Sequence, residues 1–360
     1  MSRAHPPRIA AALIPRQAEP PNLESPVEAL GGLLTPPGLH FVRSHFPVPS
    51  IDPRRFTLRL GGCVSQGLAL TLDDLRALPS VTRRLTLECA GNGRAHLPWD
   101  AAGLQWEEGA VGTADWTGVP LGVLLDRAGV GVAASHVLLQ GADRGEMEEP
   151  VPSGGVIPFA RSLPLPEARN ALLAWEMNGG TLPALHGGPL RAVVPGCYGM
   201  ASVKWLERVE VLDRPWQGYF ETVDYARWEE REGLPPERVP LGPMRIKAQI
   251  VRPAPGAVLP VGEPARIEGA AWCGTGTPAR VEVSTDGGAT WHEADWTTAA
   301  EPGLWRLWAL DWAPLRPGPA RLLVRATSSE GETQPEIPDP RRGGYEISHP
   351  VPVVITVAEP

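Results

Sequence analysis

The sequence has no hydrophobic run long enough for a membrane helix. The apolar stretch closest to its start, IAAALI, is interrupted by Pro15 and Arg16. Six residues are too few for the core of a signal peptide or for a transmembrane span. We therefore expect no membrane span and a cytoplasmic protein, or a periplasmic one if a leader has been removed.

Paired cysteines are also lacking. The chain has four cysteines, at positions that are far apart, and no C-x-x-C or C-x-x-C-H motif: Cys63, Cys89, Cys197 and Cys273. Structural zinc sites, disulfide frameworks and covalent haem sites depend on closely spaced cysteines. The pattern argues against all three and predicts no haem.

The sequence has no excess of positive charge. Its 33 Lys and Arg residues are outnumbered by 41 Asp and Glu residues, which gives a net charge of −8 at neutral pH. Nucleic acids and anionic membranes are bound by surfaces of positive potential. We therefore expect neither as the main partner, although a local basic pocket is compatible with this balance.

Tyrosine and phenylalanine are scarce, with four and five residues, whereas tryptophan is abundant, with 13. Indole rings are large and rigid, and their N–H groups need partners when buried. We expect most of them to pack in cores and at a junction between domains.

The length and patterning of the chain predict two domains. A chain of 360 residues exceeds what one core usually supports, and its 40 glycines and 42 prolines are spread along it as turn signals. We predict an extended arm over residues 1–40, an α+β domain over 41–240 and an immunoglobulin-like β-sandwich over 243–360. The sandwich is indicated by short strands alone after Pro243, and the segment 220–242 is the predicted linker.

Local signals locate some elements. Thr71 and Asp74 have the spacing of a helix capping box, and Pro120 and Gly129 bracket another predicted helix. Asp286-Gly287 between alternating apolar residues predicts a hairpin.

Cys89 is the cysteine whose setting suggests chemistry. It directly follows the predicted strand RRLTLE and begins a turn that contains Gly91, Gly93 and Arg94. A thiol beside a cation and an open backbone suits a thiolate that binds a soft metal. A free cysteine is also often only a small buried hydrophobic residue, and the residues themselves leave both readings open.

Six sequence blocks resemble the sulfite-oxidase family of molybdopterin enzymes in that family's order, over nearly the whole chain. They are FVRSHFPVP, LTLECAGNGR, GLQWEEGAVGTADWTGVPL, LPALHGGPLRAVVPGCYGMASVKW, GAAWCGTGTPARVEVSTDGGATW and GLWRLWAL. The resemblance implies a molybdopterin-binding domain followed by a dimerisation module, and hence a homodimer.

The resemblance also implies roles for individual residues. Cys89 matches the cysteine that ligates molybdenum, and the catalytic pocket would further contain Arg43, Arg94, Trp106, Tyr225 and Arg306. Seven residues match positions that contact the pterin cofactor: His45, Asp143, His186, Arg191, Ser202, Val203 and Lys204. Without the motif blocks, such arginines usually make surface ion pairs, such histidines are more often satisfied by backbone groups, and Trp106 could be plain core.

The implied activity is oxidation of sulfite to sulfate with electrons passing to a separate acceptor, such as a cytochrome. In the family's animal members a further arginine follows CAGN, where this chain has Gly93, which implies a wider or less charged pocket. Two alternatives stay open: a molybdenum-dependent sulfoxide or oxo-anion reductase, and a metal-free assembly protein.

Overall fold

A short hairpin begins the described part of the chain. The computed structural model describes residues 12–36, 38–230 and 232–359. Strands β1 (Ile14–Gln17) and β2 (Asn22–Glu24) pair antiparallel, and a 3-10 helix follows at Val27–Leu30. The hairpin packs on the body of the protein, since the buried carboxylate of Glu24 accepts the backbone N–H of Gly109. Residues 1–11 of the predicted arm lie outside the described residues.

The first large region combines two five-stranded sheets with short helices. Its strands are β3 (Thr57–Gly62), β4 (Leu68–Thr71), β5 (Val81–Glu88), β6 (Val111–Pro120), β7 (His136–Gly145), β8 (Ile157–Pro164), β9 (Leu172–Met177), β10 (Gly180–Thr181), β11 (Arg191–Val193) and β12 (Leu206–Leu212). One sheet has the order β4-β3-β12-β7-β8, and the other has the order β10-β9-β6-β5 with β11 also paired to β9. Strands β3 and β12 are parallel, whereas the remaining pairs of these two sheets are antiparallel.

Helices are few and short, so the region contains more strand than helix. The described α-helices are α1 (Leu72–Arg76), α2 (Leu121–Ala128), α3 (Leu165–Asn170) and α4 (Tyr219–Thr222), and 3-10 helices lie at Arg94–His96, Ala184–His186 and Gly199–Ala201. None of these helices combines the length and the apolar character needed to cross a membrane.

The predicted helix signals are confirmed. Thr71 and Asp74 form the capping box of α1, with each side chain accepting the other residue's backbone N–H. Pro120 precedes α2, and Gly129 ends it with a φ of 69°, a conformation that costs glycine little.

The segment predicted to be a linker is structured. It contains α4 and a hairpin of β13 (Ala226–Glu229) with β14 (Glu237–Pro240). The backbone pairing holds residues between α4 and β13 in place, and these residues line the candidate site described below.

The second region contains strands and one 3-10 helix, at Pro340–Arg342. Its strands are β15 (Lys247–Arg252), β16 (Val258–Pro260), β17 (Ala265–Trp272), β18 (Pro278–Ser284), β19 (His292–Glu293), β20 (Asp295–Trp296), β21 (Arg306–Trp312), β22 (Gly318–Ser328) and β23 (Val353–Ala358). Two sheets form, in the orders β15-β17-β21-β20 and β16-β23-β22-β18-β19. The predicted hairpin at Asp286-Gly287 joins β18 to β19. Apolar side chains from both sheets, among them Ile267, Val283 and Val324, form one cluster.

Tryptophans join the two regions. Trp272 and Trp305 belong to strands or loops of the second region, yet both are fully buried within the hydrophobic cluster of the first. Large rigid rings at such a junction fix the two regions against each other. This position agrees with the role predicted for the abundant tryptophans.

Candidate active site

Cys89 lies on a tight turn at the end of β5. The backbone N–H of Asn92 donates to the carbonyl of Cys89 at 2.9 Å, which closes the turn. A Cβ at Gly91 would lie 2.5 Å from Nη2 of Arg94, so glycine leaves room for the guanidinium. The turn therefore directs the Cys89 thiol and the Arg94 guanidinium toward the cavities described below instead of into the sheet.

A buried ionic cluster supports this turn from the second region. The Glu88 carboxylate lies 3.2 Å from Nζ of Lys247 and accepts hydrogen bonds from the Trp272 indole at 2.8 Å and the Asn92 amide at 3.0 Å. Lys247 also donates to the Asn92 carbonyl at 2.9 Å. Each charged group has a partner, as buried charges require.

The environment of the Cys89 sulfur is buried and cationic. Burial raises the pKa of its thiol above the usual value, and Arg43 and Arg94 act in the opposite direction. Coordination by a metal cation would favour the thiolate strongly over the thiol. The site is therefore suited to a thiolate whose charge a metal balances.

Cys89 borders an inner cavity of about 670 Å³. Most of the predicted cofactor residues line it: His45, Asp143, His186, Arg191, Ser202 and Lys204. Arg43 and Tyr225 also line this cavity. So do His40, Ser44 and Met200, which were not predicted from the sequence.

Burial disfavours the charged forms of several polar side chains of the inner cavity. Burial raises the pKa of Asp143 to about 7, and its Oδ1 atom has no hydrogen-bond partner. Burial also lowers the pKa of His186 to about 2 and that of Lys204 well below its usual value. The Lys204 ammonium donates to Ser44 Oγ at 2.9 Å and to the Leu185 carbonyl at 3.0 Å.

Arg191 lines the inner cavity, whereas Val203 does not. The Arg191 guanidinium donates to the carbonyls of His186 and Ser202, at 2.8 and 3.0 Å, and lies over the Trp116 ring. Val203 is fully buried and does not line the cavity. Its predicted cofactor contact is therefore not made by its side chain, because the side chain packs into the apolar cluster beneath.

A second, outer cavity of about 2510 Å³ meets the inner one at Cys89. Four residues line both: Arg43, His45, Cys89 and Tyr225. Arg94 and Trp106 line the outer cavity alone. Cys89 therefore stands where the inner and outer cavities meet.

Hydrogen bonds fix the groups around this junction. His45 Nε2 and the Tyr225 hydroxyl lie 2.7 Å apart, and burial lowers the pKa of His45 while raising that of Tyr225. The Arg94 guanidinium donates to the carbonyls of Leu104 and Gly344, at 2.8 and 2.9 Å. Arg43 donates to the neighbouring Ser44 carbonyl.

Arg306 is not part of this arrangement, so its predicted place in the pocket is wrong. Its guanidinium donates to the carbonyls of Thr298 and Pro278, at 3.0 and 3.2 Å, and lies 4.1 Å from the centre of the Trp296 ring. These partners belong to the second region, and Arg306 lines neither cavity. Its guanidinium therefore bridges a loop next to β20 and the first residue of β18 in the other sheet.

Other residues of the second region do reach the outer cavity, and the sequence reasoning missed them. Arg341, Arg342 and Tyr345 line it, and the Tyr345 hydroxyl donates to the buried carboxylate of Asp224. The segment RRGGYE, with two arginines and two glycines before a tyrosine, was the available signal.

The space beside Gly93 is filled, contrary to the expectation of a wider pocket. A Cβ at this position would lie 3.2 Å from Ile347 and 3.4 Å from Nζ of Lys247. The second region thus supplies both bulk and a positive charge next to Gly93.

Cys89 offers a metal one sulfur ligand, and the described part of the chain contains no metal-binding cluster. No three His, Cys, Asp or Glu side chains lie together as a metal site within residues 12–36, 38–230 and 232–359. A metal at Cys89 would need its other ligands from a cofactor. The inner cavity beside Cys89, with its unpartnered Asp143 oxygen and its buried donors, fits such a group.

Comparisons with known proteins identify the class. Residues 45–220 match the model of the oxidoreductase molybdopterin binding domain, and residues 240–341 match the Mo-co oxidoreductase dimerisation domain. The two matched domains are thus those of molybdopterin-dependent oxidoreductases.

Individual relatives narrow the assignment. Sulfite oxidase from Gallus gallus is 37% identical over 355 residues, which cover 92% of this chain and 74% of that protein. The mitochondrial sulfite oxidase of Mus musculus is 36% identical, and the match covers 88% of this chain and 60% of the relative's length. The crystal structure of the sulfane dehydrogenase SoxCD from Paracoccus pantotrophus superposes with a TM-score of 0.79 at 29% identity, covering 94% of this chain and 87% of that one. The chain belongs to the sulfite-oxidase family of molybdopterin oxidoreductases.

Proposed function

We propose that the protein oxidises sulfite to sulfate at a molybdenum cofactor held by the Cys89 thiolate. The observation that carries this proposal is the position of Cys89, where the inner cavity meets an outer cavity lined by Arg43 and Arg94. The family relationship supplies the substrate class. In the overall reaction, water provides the added oxygen, and two electrons pass to a separate acceptor such as a cytochrome.

The inner cavity would hold the pterin. When bound, the molybdenum cofactor supplies two-electron oxygen-atom transfer. His45, His186 and Ser202 would offer uncharged polar groups to the ring system, and Lys204 would offer a cation. Asp143, with its free Oδ1 atom, would pair with ring N–H groups, since a buried carboxylate oxygen without a donor is costly.

The outer cavity would bind the anion. Arg43 and Arg94 would hold sulfite beside the metal, and their charge would offset that of the substrate. The Tyr225 hydroxyl, fixed by His45, would orient the bound anion with a hydrogen bond. Trp106, which is fully buried, would shape the wall.

The decisive experiment combines metal analysis with two assays. Purified protein is expected to contain molybdenum and a releasable pterin, and to reduce cytochrome c when sulfite is added. Cys89→Ser should lower turnover by at least about 100-fold, because loss of even supporting ligand contacts costs 10–100-fold. Cys273→Ser is the matched control, since that thiol is buried in the second region.

Three outcomes would contradict the proposal. Protein without molybdenum would favour the metal-free assembly role. Molybdenum protein that oxidises a reduced dye with sulfoxide, but does not oxidise sulfite, would favour the reductase. Full turnover by Cys89→Ser would remove the thiolate from the site.

We further propose that the second region, residues 243–360, is an immunoglobulin-like sandwich that forms a homodimer. Its two packed sheets and its match to a dimerisation domain support this. The expected mass in solution is twice the 38.6 kDa of the chain.

A further inference from the structure

The outer cavity contains one buried carboxylate among its arginines. Asp224 is 9% exposed, whereas the cavity's other acidic residues lie at its exposed mouth: Asp100, Glu146, Glu148 and Glu149. Exposed charges are screened by water and salt, so Asp224 is the acid with the strongest effect on a bound anion.

Tyr345 holds this carboxylate in place. Its hydroxyl donates to Asp224 Oδ1, and its ring lies 5.2 Å from that of Tyr225. The Arg94 guanidinium lies 4.9 Å from the centre of the Tyr345 ring. Tyr345 therefore links Asp224 to two residues of the proposed anion site, and it comes from the second region.

Asp224 and both substrate arginines line the same cavity. Burial raises the pKa of the Asp224 carboxyl, while Tyr345, Arg43, Arg94 and Arg161 lower it. A cavity intended only for tight anion binding would gain nothing from an acid at this place, since like charges repel. The effect of the Asp224 carboxylate on binding therefore depends on the charge of the ligand.

We propose that Asp224, positioned by Tyr345, weakens the binding of doubly charged anions in the outer cavity, sulfite as well as sulfate, and so favours release of the sulfate product. This inference rests on the proposed sulfite-oxidising function. Coulomb energy is proportional to ligand charge, so the carboxylate should penalise a dianion about twice as much, in free energy, as a monoanion of the same shape.

The test measures anion binding to the oxidised, molybdenum-loaded enzyme by calorimetry at pH 8 and constant ionic strength. Sulfate and perchlorate serve as tetrahedral probes with two charges and one. Asp224→Asn keeps the shape of the side chain and an oxygen that can accept from Tyr345. It should tighten sulfate binding about tenfold and perchlorate binding about threefold, because halving a free-energy change takes the square root of its factor.

Two variants control for indirect effects. Asp100→Asn removes a carboxylate from the exposed mouth and should change sulfate affinity by less than about twofold, because solvent screens it. Tyr345→Phe keeps the carboxylate but removes its hydrogen-bond donor, so sulfate should bind no more tightly than to the wild type.

The inference fails if Asp224→Asn leaves sulfate affinity unchanged, weakens it or tightens both probes equally. It also fails if the wild type oxidises sulfite and Asp224→Asn shows no increase in inhibition by sulfate. Absence of sulfite oxidation by the loaded wild type would instead overturn the proposed function, so the two failures can be told apart.

Discussion

Single arginines show how far residue identity alone indicates a role. Arg43, Arg94 and Arg306 all resemble anion-binding positions of the family, yet only the first two line a cavity beside Cys89. The donors of Arg306 are used by two carbonyls of its own region. A motif match locates a segment of the chain. The direction of each side chain in that segment depends on the backbone conformation.

This difference predicts opposite outcomes for two matched substitutions. Arg43→Met should raise the KM for sulfite by about 10- to 100-fold, because a hydrogen bond to a charged group contributes about 1.5–3 kcal/mol. Arg306→Met should leave KM unchanged within about twofold. Steady-state kinetics of both variants checks this, and a raised KM in Arg306→Met alone would reverse the two assignments.

The turn at the end of β5 depends on a strand from the other region. Lys247 is the first residue of β15, and its ammonium lies against Glu88, the last residue of β5. Both side chains are almost fully buried, so the pair is sensitive to loss of either partner. No local pattern indicates this contact, because the two strands are far apart in the chain.

Removing one partner is therefore expected to cost more than removing both. Lys247→Met should lower the free energy of unfolding by about 3–5 kcal/mol, since it leaves the Glu88 carboxylate buried and unpaired. Adding Glu88→Gln should recover much of that loss, because the amide can still bond Trp272 and Asn92. Urea unfolding of both single variants and the double variant measures this. If the two losses simply add, the groups do not form a coupled pair.

For the chain as a whole, the inner cavity couples stability to cofactor binding. About 670 Å³ lies between segments that are distant in sequence, from residue 40 to residue 225. A ligand that binds only the folded state stabilises it according to its free concentration and affinity.

Protein made without the pterin should therefore melt at a lower temperature. At a ligand concentration about 1,000 times Kd, the stabilisation is about 4 kcal/mol, which corresponds to several degrees. Calorimetry of the apo and loaded forms measures the difference. Molybdate alone should not restore the melting temperature, because the described residues hold no metal cluster. Equal melting temperatures would show that the cavity does not bind the cofactor.

The local elements and the family could be predicted from the order of the residues. The caps of α1 and α2 depend on neighbouring residues, so Thr71 and Gly129 could be interpreted directly. The blocks around Cys89 and the run HGGPLR likewise carried the resemblance, and most of the predicted cofactor residues do line one cavity.

The contacts between distant groups became visible only in the folded protein. Folding brought Tyr345 to Asp224 and Lys247 to Glu88, and it turned Arg306 and Val203 away from the cavities. The physical reason is that a site between two regions is assembled by sheet register and junction packing. Both act between segments that no local pattern connects.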